Sequence, residues 1–268
     1  MFAAGLTLIL GVMNIVNLCH GSFYLVSAYI TWTLVAHKFN FWIGLVVAVI
    51  GTAILGVILE RFLISRVYGK ILDQVLLTIG LALVLADFVK WVWGVDLKMI
   101  SVPAGLDFSI DMGSSVFPVY RLFIVLVGLV IAGLLWYFEK KTLFGAIVRA
   151  GVDDRAMVSA LGINVGFVFS CVFAFGTGLA GLSGVLGAPM LGMASGVDSE
   201  ILLISMIVVV TGGLGSWKGS FFAAILIGLV DTLGQVWFPS FSMALIFLIM
   251  IIVLLLRPSG LFGKGVSL

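Results

Sequence analysis

The chain has 268 residues, 63% hydrophobic and 10% charged, with a mean hydropathy of +1.33 and a formal net charge of +2. A soluble domain carries roughly 25% charged residues, so this composition cannot clothe a water-facing surface; it describes an integral membrane protein with room for about eight spans of roughly 20 residues. No basic patch interleaved with aromatics points to nucleic acid, and the two distant cysteines, Cys19 and Cys171, form neither a disulfide framework nor a zinc spacing.

The first charged residue is Lys38, and no basic region precedes the opening apolar run. No cleavable signal peptide is therefore expected, and Met1 is expected to lie inside a span. The first run, Phe2–Leu18, is apolar up to Asn14 and Asn17 and ends in Cys19-His20-Gly21-Ser22. Polar groups in hydrocarbon cost a few kcal/mol unless paired, so this cluster marks a helix end or a break. Runs at Phe23–Ala36, Phe41–Leu59 and Ile71–Trp93 follow, the second and third separated by Glu60, Arg61, Arg66 and Lys70. The loop Gly94–Pro118 is acidic and shows no amphipathic period. Val119–Phe138 then leads to Glu139-Lys140-Lys141 and into the stretch Arg149–Asn164, which reads as one compact polar helix between two spans.

After Val165–Val185 comes a Gly/Pro-bearing turn, and Asp198-Ser199-Glu200 reads as a capped helix start. The helix it opens, about Ser199–Thr211, reaches only about 20 Å, too short for about 30 Å of hydrocarbon. It ends in Gly212-Gly213-Leu214-Gly215-Ser216, before Ser220–Phe238, Phe241–Leu256 and the stop Arg257-Pro258. If each run crosses once, 10 of the 14 basic residues fall on one side, which the positive-inside rule makes cytoplasmic. The reading is an all-α polytopic membrane protein with about eight membrane segments, including broken or half helices. It forms one transmembrane domain over residues 1–268, with a cytoplasmic coupling segment at residues 139–164. His20-Gly21-Ser22-Phe23-Tyr24 echoes Lys218-Gly219-Ser220-Phe221-Phe222, and each precedes a hairpin returning to an arginine, Arg61 or Arg257; a parallel internal repeat fits this echo, a design common in transporters.

Chemistry-bearing motifs are few. Gly176-Thr177-Gly178-Leu179-Ala180-Gly181 matches a dinucleotide fingerprint, yet it lies in a membrane run where small residues four apart serve close helix packing. Gly213–Ser220 lacks the glycine that a phosphate loop needs before its lysine, since Trp217 stands there. An energy source would thus sit on another subunit: no cofactor is expected on this chain. His20 and His37 fall in no metal or nucleophile pattern, so an enzyme is not indicated. Asp87 and Lys90 share a helix face and suit either an interfacial ion pair or a polar path lining; Asp231 with Gln235 invites the same two readings. Asn14, Asn17 and His20 suit either capping of a break or contact with a translocated solute.

Four segments resemble, in order, the permease subunits of branched-chain amino acid ABC importers of the LivH-like type. Asn17-Leu18-Cys19-His20-Gly21 is similar to that family's N-F-A-H-G. Gly145–Asn164 is similar to its cytoplasmic G-R-x-x-R-A, acidic pair and L-G-I-N, Gly212–Ser216 to its G-G-I-G-S, and Arg257–Leu261 to its terminal R/M-P-x-G-[IL]. Ala146 replaces a usual arginine, Ser22 stands where glutamate is common, and the family carries further residues before the position of Met1. The resemblance implies a bacterial-type inner membrane protein paired with a second permease, two cytoplasmic ATP-binding subunits and an extracytoplasmic solute-binding protein. It implies alternating access for a branched-chain or neutral amino acid, with urea, amides or aromatic acids as substrates of relatives. Arg149, Ala150, Asp153, Asp154, Met157, Leu161 and Gly162 would couple to the ATPase, with Met157, Leu161 and Ile163 forming an apolar side that seats in a groove. Asn14, Asn17, His20, Gly21, Gly212, Gly213, Gly215 and Asp231 would line the path. The competing class is an ion- or proton-coupled carrier using Asp87 or Asp231.

Overall fold

The structure, a computed structural model, describes residues 1–111, 116–153 and 155–263, and the side chains of residues 152–156 also lie outside the description. The first helix, α1 (Phe2–Met13), stops where Asn14 turns left-handed at φ 53°, a conformation that Asn tolerates better than most side chains. Residues 15–19 are not helical, and α2 (His20–Ala36) starts at the histidine. The break thus comes earlier than the apolar run implied, and His20 and Gly21 form the first turn of the next helix. Asn40 Oδ1 accepts from Trp42 N at 2.8 Å to start α3 (Phe41–Phe62), and a short 3-10 turn leads to α4 (Ile71–Trp93).

The acidic loop is more ordered than its sequence suggested. Strand β1 (Ser109–Asp111) pairs antiparallel with β2 (Val116–Pro118), Ile110 opposite Phe117. The pairing was illegible because three residues per strand are too few to show a period-two pattern. Helices α5 (Val119–Lys141), α6 (Leu143–Asp153) and α7 (Arg155–Ala160) lead to the long α8 (Val165–Leu191). The last three are α9 (Val197–Gly212), α10 (Trp217–Trp237) and α11 (Ser242–Leu256). Among the described residues six segments are long and apolar enough to cross a membrane: α3, α4, α5, α8, α10, and α11 with its preceding turn. The shorter helices α1, α2 and α9 supply the broken elements, and the chain is an all-α multi-pass membrane protein.

Helix α8 is the centre. More than half of its apolar window is buried (56%), against 11% for α4 and 6% for α11, and it packs on α1, α2 and α3. The small residues that mimic a dinucleotide fingerprint make that packing possible. A Cβ on Gly176 would sit 2.7 Å from Ile9 of α1, and one on Gly181 would sit 2.2 Å from Thr52 Oγ1 of α3. Ser27 of α2 donates to Gly181 O at 2.8 Å, so three helices close on one glycine-bearing ridge.

The ends of α3 and α5 and the starts of α4 and α8 gather at one end, which carries Arg61, Arg66, Lys70, Lys140 and Arg149. At the opposite end Tyr120 donates to Leu186 O at 2.8 Å and Lys98 lies 4.6 Å from the Trp32 ring centroid. The two echoing pentapeptides occupy matching places, each within the first turns of a helix, α2 or α10, that follows a non-helical segment.

Candidate functional site

Two sets of residues stand apart from ordinary packing, one around the α1–α2 break and one at the basic end. At the break, Asn17 is 1% exposed; its Oδ1 accepts from Cys19 Sγ at 3.0 Å, while its Nδ2 makes no hydrogen bond. His20 is fully buried between Phe2 and Phe23, with ring centroids 4.7 and 6.4 Å away, and neither of its nitrogens has a hydrogen-bond partner. The Tyr24 hydroxyl one turn on is likewise buried and unpaired. Orphaned buried polar groups cost about 1–3 kcal/mol each, and three in adjacent turns demand an explanation beyond stability.

Helix α9 completes this region. Gly21 lies so close to it that a Cβ would fall 2.4 Å from Asp198 O. The first turns of α2 and α9 therefore meet, two positive dipole ends side by side. Asp198 is not the cap expected from its sequence: the cap is Gly196 at φ 101°, and Asp198 sits buried in the first turn. Juxtaposed half-helix N-termini of this kind face anionic groups in transporters. Thr78 Oγ1 of α4 reaches Val16 O at 3.2 Å, tying the non-helical segment to a full span.

The other path residues read from the sequence are not all brought here. Asn14 is an exposed helix terminus. Gly212 and Gly213 close the end of α9, where Leu261 N donates to Thr211 O at 2.9 Å and Phe262 N to Gly212 O at 3.1 Å. The Arg-Pro-Ser-Gly-Leu segment thus satisfies carbonyls that a helix end leaves open. Gly215, at φ 76°, packs on Gly11 of α1. Asp231 lies at the surface of α10, accepting from Gln235 Nε2 at 3.0 Å. Asp87 and Lys90 pair at 3.0 Å in exposed positions, a surface ion pair of small energetic weight.

At the basic end the helix expected over Arg149–Asn164 is met by helical residues on both sides of residue 154, which lies outside the described residues, and these helical residues end before Leu161. Helix α6 begins six residues earlier, at Leu143, because Thr142 Oγ1 accepts from Gly145 N at 3.1 Å and starts it. Gly145 is obligatory, since a Cβ there would fall 2.4 Å from Phe138 O. Helix α7 ends at Ala160; Gly162 turns left-handed at φ 79°, and Asn164 Oδ1 accepts from Phe167 N at 3.0 Å to begin α8.

Phe144, Ile147 and Val148 pack on the core around α8, and Val158 of α7 is buried. Met157 and Leu161, one helical turn apart, are 60% and 72% exposed. Ile163 packs inward on the core instead of joining them, because the Gly162 turn reverses its direction. Arg149 donates to Glu139 O and anchors α6 to the end of α5. Ala146 and Ala150 are exposed, while Asp154 and the side chain of Asp153 lie outside the described residues.

Tyr24, Asp198 and Glu60 were not among the site residues read from the sequence. A carboxylate beside Arg61 at the end of a run reads as a boundary charge, and nothing in the sequence places Tyr68 and Ser170 against it.

Residues 1–254 match the family described as branched-chain amino acid transport system / permease component. The chain is 25% identical to the high-affinity branched-chain amino acid transport system permease protein LivH of Escherichia coli K12, over 98% of this chain and 91% of the relative. It is 26% identical to the corresponding protein BraD of Pseudomonas aeruginosa, with the same coverage. LivM of Escherichia coli K12 is also similar, 28% identical over 96% of this chain and 66% of that protein. No solved structure matches the chain.

Proposed function

The chain belongs to the branched-chain amino acid transport permease family, and on that premise we propose that it is the membrane-spanning subunit of an ATP-driven importer for a branched-chain or similar neutral amino acid. It works by alternating access in a bacterial-type inner membrane, with a second permease, two ATP-binding subunits on the basic, cytoplasmic side and a solute-binding protein outside. ATP is bound and hydrolysed by the partners, and this chain needs no cofactor.

The observation that carries the reading is the exposed pair Met157 and Leu161 on a segment that Val158, Phe144 and Ile147 hold to the central helix. Apolar side chains one turn apart on a water-facing helix are the knobs of a helix-in-groove contact. Motion of that segment reaches α8 directly through the Asn164 cap. The region it would move is the polar α1–α2 break, whose unpaired Asn17, His20 and Tyr24 groups support a passage for a polar solute, beside the glycine-bearing breaks at Gly212, Gly213 and Gly215. The fit of Asp231 is to a separate surface of α10.

Isolation from the native membrane tests the reading. A nucleotide-binding subunit should co-purify, and the reconstituted complex should hydrolyse ATP faster with loaded binding protein. Asp153→Lys with Asp154→Lys should insert normally yet uncouple hydrolysis from uptake. Uptake driven by an ion gradient, with no nucleotide-binding subunit in the preparation, sinks the proposal.

A further inference from the structure

Glu60, third from the end of α3, is only 2% exposed. One carboxylate oxygen accepts from the Tyr68 hydroxyl and the other from Ser170 Oγ at 2.6 Å. The end of α3, the connection to α4 and the second turn of α8 thus converge on one anion. A carboxylate offers about four acceptor positions, and two remain. Among the described residues the ion pairs are Lys70–Asp73 and Lys90–Asp87, so Glu60 has no cationic partner.

Glu60 is among the residues lining a cavity of about 400 Å³, within the roughly 300–1,000 Å³ usual for small-molecule sites. Arg61, Ser170 and Cys171 share the wall with the apolar Val57 and Phe167. A divalent metal would want six or more oxygen ligands, and one carboxylate with hydroxyls does not supply them. A primary ammonium, with three donors, suits a carboxylate flanked by hydroxyl oxygens.

We infer that this cavity binds an organic ammonium group against Glu60, and that the α-ammonium of a small amino acid is the source that fits. Arg61 lines the same wall and meets the carboxylate of a zwitterion, while Val57 and Phe167 suit an aliphatic side chain. The choice of source rests on the transport reading above; the ammonium site does not. Asn164, the last residue of the coupling segment, also lines the cavity, so an occupant is placed to bridge α3 and α8 beside that cap.

Cys171 is a native reporter on the cavity wall, and Cys19, fully buried, stays silent. Maleimide alkylation of Cys171 is measured in the purified full chain with isopentylammonium, 4-methylpentanoate or leucine added. Isopentylammonium and leucine should slow alkylation severalfold, 4-methylpentanoate should not, and Glu60→Gln should remove the protection at an unchanged thermal midpoint. If that variant unfolds, saturable protection of the unaltered protein by isopentylammonium, with none by the carboxylate, carries the same test. Protection by isopentylammonium but not leucine keeps the ammonium site and overturns the amino acid source. Protection in the assembled transporter without any probe, lifted by high salt, overturns that source in favour of a partner's lysine. Equal alkylation rates under every condition overturn the site.

Discussion

Gly21 of α2 rests on the backbone of Asp198 in α9, so closely that a Cβ would fall 2.4 Å from the Asp198 carbonyl oxygen. Neither wall of this contact is the tip of a flexible side chain, so an added methyl must push two helix starts apart. Gly21→Ala should cost about 1–3 kcal/mol, the usual range for overpacking, and lower the thermal midpoint of the detergent-purified protein. Gly80→Ala in α4, where a Cβ would meet nothing within 4 Å, is the control and should leave the midpoint unchanged or raise it. Equal midpoints for the two variants would contradict the contact.

The α9–α10 break depends on chain from far along the sequence. Leu261 N and Phe262 N donate to the carbonyls of Thr211 and Gly212, and each net hydrogen bond contributes about 1 kcal/mol. Truncation after Gly260 should therefore remove about 2 kcal/mol and speed amide exchange at the end of α9. Exchange there that matches the full chain would show that the break holds without its brace.

Surface and anchor should separate in the coupling segment. Met157→Ser with Leu161→Ser alters exposed side chains, so the thermal midpoint should move little, while co-purification of an ATP-binding subunit should fall severalfold. Val158→Ala empties a buried position and should cost on the order of 2 kcal/mol with the exposed face intact. Normal recovery of the complex from the double variant would remove Met157 and Leu161 from the interface.

How far the sequence carries this picture depends on the kind of signal. Long apolar runs identified α3, α4, α5, α8 and α10, because a 20-residue hydrophobic stretch has few alternatives. Polar interruptions located the breaks, yet Asn14, whose left-handed turn ends α1, looked no different from Asn17 in the same run. The helical segment after α5 was drawn as starting at Arg149 rather than Leu143, because Thr142 starts α6 from a position that reads as the tail of a span. Asp198 and Glu60 were hidden for a different reason. Each is a boundary charge in sequence, and its burial is created by the distant Gly21 in one case and by Tyr68 and Ser170 in the other. Tertiary partners of this kind leave no local pattern.

His20 permits the sharpest separation of stability from function. It is buried against Phe2 and Phe23, and both ring nitrogens lack partners. If the histidine were there for packing alone, a phenyl ring would serve better. His20→Phe keeps the aromatic contacts and removes two buried polar atoms, whose desolvation costs about 1–3 kcal/mol apiece when unmet. The variant should therefore melt at a higher temperature than the parent. Uptake in reconstituted vesicles should nonetheless fall at least tenfold, because a moving polar solute would lose a partner at the break. Asn17→Leu should behave alike, trading an unpaired amide for apolar volume. A stabilised His20→Phe protein with full uptake would leave His20 a packing residue and move the path elsewhere.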